Sequence, residues 1–233
     1  MKGTRTRAAA APQTPAEPRR PRFQRQLPEQ RRAALIDATI ECLKRYGHEG
    51  LSIRTISAQA GVSVGLINHH FPNKDELVAA AFSHFNRELV DTLEAAAARG
   101  DTPAARLRAF LEASFSPPNL DADVLAVWVV FWGMVRHARP IQRVQRETYT
   151  DYVRLVRGLL TDLLGKGAEG GRGRGKGGGA NLRLAAIGLT ALLDGLWLEW
   201  CLEPGKFRPR EAVALCEGWV EALCRPATGW NSG

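Results

Sequence analysis

The sequence holds only four cysteines, Cys42, Cys201, Cys216 and Cys224, and no two of them stand at C-x-x-C spacing. Zinc ribbons and dithiol redox centres are thereby excluded. Each cysteine falls in a helix-like pattern, where a thiol serves as a small buried hydrophobe, so a reducing cytoplasm is expected. Long apolar runs are also missing. The longest without a charge, Val124 to Val135, is well short of the roughly 18 residues that span a bilayer, and no apolar stretch follows the basic start. Neither membrane insertion nor secretion is expected. The chain has no glycine-rich phosphate loop, no G-x-S-x-G elbow, no His-Glu metal spacing and no catalytic cysteine setting. It is therefore not expected to be an enzyme, and a helical enzyme with dispersed residues would have to be revived by a measured turnover. The adjacent pair His69 and His70 point about 100 degrees apart on a helix and have no evident third partner. No metal and no cofactor are expected.

What the sequence does have is an ample apolar content, 45% of 233 residues, enough to pack a core. Its net charge of +8 is unevenly placed. Residues 1–28 carry a net of +6 and residues 165–180 a net of +3, which leaves the remainder near neutral. The first segment is rich in Pro and Ala and the second in Gly, so both are expected to be disordered, as a basic tail and a flexible linker. A basic tail beside a DNA-binding unit adds sequence-independent attraction to phosphates. An architectural protein that binds DNA by charge alone would instead need a basic folded surface.

Between these segments the spacing is helical throughout, and an all-α fold is expected. Leu35, Ala38, Thr39, Cys42, Leu43 and Tyr46 recur at three-and-four spacing, and Gly47 follows as a stop. Ser52 is placed to cap a short helix carrying Ile53, Ile56 and Ala60, which ends at Gly61. Ser63 is placed to cap a second, with Leu66 and Ile67, that runs to His70. Two short helices across Gly61-Val62-Ser63 form a helix-turn-helix, whose second helix enters the major groove. Ile56, Val62, Ile67 and Phe71 are expected in the core.

The stretch Leu51 to Leu77, LSIRTISAQAGVSVGLINHHFPNKDEL, resembles the signature of the TetR family of transcriptional regulators in its turn glycine, capping serine, HF pair and NKDEL helix start. One departure is Asn68, where many members have a tyrosine that touches the DNA backbone. The resemblance implies a three-helix DNA-binding head over residues 29–75 and a helical effector-binding and dimerisation domain over 76–225, before a tail at 226–233. The DNA-binding set is read as Ser52, Arg54, Ser63, Val64, Gly65, Asn68, His69, His70 and Lys74. Arg54 is long enough to reach the acceptor pair of guanine. Small Ser63, Val64 and Gly65 let the backbone approach the groove, Asn68 and His69 follow one turn later, and His70 and Lys74 match the family's phosphate contacts. The resemblance also implies a homodimer reading a palindromic double-stranded operator, and a repressor released by a small effector. The protein would reside in the cytoplasm, at the nucleoid when bound to DNA. A constitutive regulator without an effector is the alternative.

Downstream, Leu77, Ala81, Phe82, Phe85, Leu89 and Leu93 predict a long helix linking the head to the second domain. A helix from Thr102-Pro103 to about Ser116 follows, broken by Pro117-Pro118. VLAVWVVFWGMV is apolar all round, which predicts burial on all sides. Helices over about 140–164 and 181–202 are implied by the resemblance to pack against their symmetry mates as a four-helix bundle, with Ala185, Gly188, Thr190 and Ala191 allowing close approach. A last helix, about 209–224, closes the domain. SVGLINHHF, AVWVVFWGMV and LTALLDGLWLE are similar to the BetI branch, repressors of choline-to-glycine-betaine pathways. Trp128 and Trp132, four apart, and Asp194 and Trp197, three apart, each share a helix face. With Tyr152 they form the candidate effector site, since aromatic faces and a carboxylate suit a choline-like quaternary ammonium. The competing assignments make the tryptophans plain core and pair Asp194 with an arginine or set it at the dimer seam.

Overall fold

A computed structural model describes residues 28–165 and 181–224. The basic tail, the glycine-rich linker and the C-terminal tail expected from the sequence lie outside the described residues, apart from their edges at Pro28 and Gly165. The described residues form nine helices and no strand: α1 (Pro28–Tyr46), α2 (Ile53–Ala60), α3 (Val64–His70), α4 (Lys74–Ala97), α5 (Pro103–Ser114), α6 (Ala122–Met134), α7 (Arg139–Leu164), α8 (Leu182–Leu202) and α9 (Pro209–Cys224).

Helices α1 to α3 make the N-terminal head, and capping chemistry sets their ends. Ser52 accepts the N–H of Thr55 at 3.1 Å while the Thr55 hydroxyl accepts the N–H of Ser52 at 2.8 Å, so two orphan donors of α2 are satisfied reciprocally. Gly61, at φ 65°, closes α2 in the left-handed region that a side chain would strain. Ser63 then accepts the N–H of Leu66, and Asn73 accepts that of Glu76, which starts α4. Leu35, Cys42, Leu43, Ile56, Ile67 and Phe71 are buried together, and Val62 packs against them. Tyr46 does not join them. It is 48% exposed at the end of α1, where the helix has run past the core.

The 24-residue α4 leaves the head and buries Leu77, Ala81, Phe82, Phe85, Leu89 and Leu93 against the second domain. It packs most extensively on α7 and α5, so the head and the second domain share one continuous element. Helix α5 ends at Ser114, two residues earlier than expected, because Phe115 already leaves helical geometry as its C-cap. Helix α6 is not buried all round. Leu125, Val127, Trp128, Phe131 and Met134 face inward, while Ala126, Val129 and Gly133 are exposed along its other side.

Three of the four small residues expected at a face of close approach on α8 serve a different purpose. Ala185 and Thr190 are buried within the chain, and a methyl group on Gly188 would stand 2.6 Å from the Trp219 ring of α9. The exposed stripe of α8 is instead Leu184, Ile187, Ala191, Leu198 and Leu202, with exposed Gly195 filling the turn between Ala191 and Leu198, and Leu215 is exposed on α9. Helix α7 presents Arg143, Arg146, Glu147, Asp151, Arg154 and Arg157 outward. Among the described residues α8 is the one single helix long and apolar enough to cross a membrane, yet it carries Arg183, Asp194 and Glu199 and packs on α6, α7 and α9.

Candidate DNA interface and effector cavity

Helix α3 has only seven residues, so its position depends on what anchors it rather than on its own propensity. Ile67 anchors it in the core, and the opposite side is left to solvent: Ser63, Val64, Gly65, Asn68 and His69 are exposed. Arg54 on α2 and Ser52 at its N-cap are exposed as well, with His70 and Lys74 half-buried at the α3–α4 junction. The nine expected DNA-binding positions thus lie at the surface, on α2, α3, the first residue of α4 and the N-caps of α2 and α3. Two of them carry a second duty. The hydroxyl oxygens of Ser52 and Ser63 accept helix N–H groups, and the Ser52 hydroxyl is also 3.1 Å from that of Thr55, so part of the hydrogen-bonding capacity of each is used within the head. Lys74 opens α4, where uncapped N–H groups and the positive end of the helix dipole favour an anion. His69 and His70 sit edge to face, 5.3 Å between ring centroids, and among the described residues no three His, Cys, Asp or Glu side chains gather in a way that could hold a metal.

Arg32 is a head residue that the sequence did not single out. Its guanidinium donates to the carbonyl of His70 at 3.2 Å and lies over the Phe71 ring, 4.2 Å from the centroid. The partners are 38 and 39 positions away, so local spacing carries no sign of them.

In the second domain, α4, α6, α7 and α8 enclose a small cavity. Trp128, Trp132, Tyr152, Asp194 and Trp197 all line it, and the structure therefore brings the five expected effector residues together. It adds Asn86, Leu89 and Val90 from α4, and Gln145 and Tyr149 from α7. Tyr149 lies one turn from Tyr152, a spacing that could have flagged it, whereas Asn86 sits in an unremarkable amphipathic stretch. Trp128 and Trp132 have centroids 6.1 Å apart, and Tyr152 and Trp197 are 6.5 Å apart, so the indoles and phenol wall a common space.

The electrostatics of this space are one-sided. Asp194 has no ion pair and no hydrogen bond among the described residues, and burial pushes its carboxyl up to about 6. The Tyr152 hydroxyl is fully buried without a partner, and its pKa is driven well above the usual value by that burial first and by the Asp194 charge second. Tyr149 is raised for the same two reasons, in the same order. Among the described residues no Lys, Arg or His lines the cavity. A buried carboxylate and a buried hydroxyl that have not found each other or any cation are costly to keep. They are suited to a guest that brings a positive charge and a hydrogen-bonding group.

Two family models match the chain: "bacterial regulatory proteins, tetR family" over residues 35–81, and "BetI-type transcriptional repressor, C-terminal" over residues 103–225. The chain belongs to the TetR family. The first match ends within α4, at residue 81, and the second begins with α5, at residue 103, so the rest of α4 spans the interval between them. Among relatives of this TetR-family chain, an HTH-type transcriptional regulator BetI from Burkholderia thailandensis is 34% identical over 199 residues, 85% of this chain and 95% of the relative. A crystal structure of a transcriptional regulator from Pseudomonas aeruginosa PAO1 is 46% identical, with TM-score 0.75 over 87% of this chain and 94% of that one. The fold is also that of a transcriptional regulator from Saccharomonospora viridis solved in complex with choline, with TM-score 0.67 and 19% identity over 83% of this chain and 96% of that one. The chain is accordingly a TetR-type, BetI-type transcriptional repressor with a DNA-binding head, and not an enzyme.

Proposed function

We propose that this TetR-family repressor binds a palindromic operator as a homodimer in the cytoplasm and is released by a small organic cation of choline type. The observation that carries the effector is Asp194, unpaired and largely buried among three indoles. Ion pairing and cation–π attraction act together on a quaternary ammonium there, and the unpartnered Tyr152 hydroxyl is available to a ligand hydroxyl. A ligand carboxylate would meet Asp194 with no positive residue to offset it. The choline complex of the Saccharomonospora viridis regulator, a protein of the same fold, supports the reading.

The cavity leaves room for the centres of only a few waters, about 40 Å³, against ~10–15 Å³ for one. A quaternary ammonium has to widen it. One wall is Asn86, Leu89 and Val90 of α4, the helix whose first residue is Lys74, so widening moves the element that carries the DNA-facing end. A ligand that binds the widened form better shifts the population toward it, and DNA, which prefers the other form, opposes ligand. A second reading, a regulator without any effector, is favoured only by the small size of the cavity as it stands.

Dimerisation is supported by the α8 stripe. Five apolar side chains in register on one helix face, continued by Leu215 of α9, are what a second copy would cover. That pair, α8 with α9, replaces the α7 and α8 pairing expected from the sequence, since α7 presents charge. A thermal-shift series with choline, glycine betaine, a plain tetraalkylammonium and a long-chain acyl-CoA tests the effector class. Stabilisation by choline above glycine betaine supports it, and stabilisation by acyl-CoA alone contradicts it.

A further inference from the structure

The reading helix α3 is short, and only Ile67 of its seven residues is fully buried. Its C-terminal turn has carbonyls without intrahelical donors. The Phe71 N–H closes back on the Ile67 carbonyl at 2.9 Å, but the His70 carbonyl is left to a partner from elsewhere. Arg32 of α1 is that partner, at 3.2 Å. The same guanidinium covers the face of Phe71, which is only 1% exposed. One planar group therefore does three things at the end of α3: it donates to a terminal carbonyl, it places positive charge at the negative end of the helix dipole, and it stacks on the ring that follows. A lysine could supply the charge but not the flat face and fixed fork together.

We infer that Arg32 is a positioning residue for DNA recognition, which fixes the pitch of α3 on α1 so that its exposed residues meet base edges in register. This rests on the reading above that α3 enters the major groove. Freed from Arg32, α3 can tilt about its Ile67 anchor, and the N-terminal residues Ser63 to Gly65 move relative to the groove. Base contacts, which need fixed geometry, are then weakened more than phosphate attraction, which does not.

The test uses the full-length protein and the site that wild type selects from random-sequence duplexes. Arg32 is exposed, so Arg32→Lys and Arg32→Gln are both expected to fold, with unchanged far-ultraviolet circular dichroism. Each should lower the ratio of specific to non-specific affinity about tenfold, the size of one charge-assisted hydrogen bond and its stacking. The slope of log affinity against log salt on non-specific DNA should stay at the wild-type value in Arg32→Gln. Rescue by Arg32→Lys, together with a shallower slope in Arg32→Gln, would show a phosphate contact and overturn the inference. An unchanged ratio in both variants, or loss of helical structure in either, would overturn it too. Failure of wild type to select any site would instead strike the reading of α3 itself.

Discussion

The indole N–H of Trp197 donates to the main-chain carbonyl of Ser114 at 2.9 Å, joining α8 to the last residue of α5 across 83 positions of sequence. That carbonyl is one of those a helix end leaves without an intrahelical donor, so the bond satisfies a buried acceptor and at the same time sets the plane of an indole that walls the cavity. Trp197→Phe keeps a ring and loses the donor. It should lower stability by about 1–3 kcal/mol through the unpaired carbonyl, or roughly 2–4 °C in melting temperature per kcal/mol for a chain of this size. Choline affinity should fall with it, since phenyl is the weaker cation–π face. Calorimetric melting with and without choline checks both.

Asp194 predicts a pH dependence with a definite sign. Its carboxyl is raised from 3.8 to about 6 in the folded chain, so between those values the native state binds more protons than the unfolded one. The ligand-free protein therefore loses stability from this group as pH rises from about 4 to about 6, by up to about 3 kcal/mol, and stays at the lower level above. Glu211, held down to about 2 by the Arg208 side chain and backbone, acts in the opposite sense, its contribution being lost as pH falls from 4.5 toward 2. The measurement is thus the wild-type curve minus that of Asp194→Asn. A quaternary ammonium keeps its charge at every pH, so its affinity should rise through pH 6 and level off above.

At the DNA face, Lys74→Ala should weaken binding to all duplexes alike and make the salt slope shallower by about 0.9, the contribution of one phosphate. Arg54→Ala should cost about 1–3 kcal/mol at particular base pairs and relax preference there. Competition footprinting across duplex variants separates the two outcomes. A change of sequence preference in Lys74→Ala without loss of affinity would contradict the phosphate role.

Leu184→Glu with Leu198→Glu places two charges in the exposed α8 stripe. Sedimentation should show a monomer, and operator affinity should fall at least about a hundredfold, because a single head loses the second half-site. Gly188→Ala makes the opposite test. It meets the Trp219 ring inside the chain, so it should cost about 1–3 kcal/mol in stability by overpacking while leaving the dimer in place.

The head was legible because each of its boundaries is written in local chemistry: Ser52, Gly61, Ser63 and Asn73 cap or stop helices by contacts within five residues. The cavity was legible in its charge and aromatics, since a carboxylate at Asp194 in an apolar helix and tryptophans four apart stand out from their surroundings. Asn86 and Gln145 were not, because only the crossing of α4 and α7 over α8 aims them inward. The same limit applies to Gly188, whose neighbour Trp219 lies on another helix, and to Arg32, whose partners are 38 and 39 residues on. Periodicity tells which face is apolar. It does not tell whether the same chain or a second copy covers that face, which is why Ala185 and Thr190 were assigned to a dimer seam and lie in the monomer core.

The most direct test of the account is release of fluorescent operator DNA by choline, followed by anisotropy at about pH 7.5, in wild type and in Asp194→Asn. The substitution keeps the size and shape of the side chain and removes the charge. Wild type should release DNA as choline is added. Asp194→Asn should bind the operator as tightly as wild type, should melt no lower since a buried unpaired charge is gone, and should hold its DNA at every choline concentration used. Normal release from Asp194→Asn, or a large loss of stability in it, would contradict the assignment of Asp194 as the partner of a cationic effector.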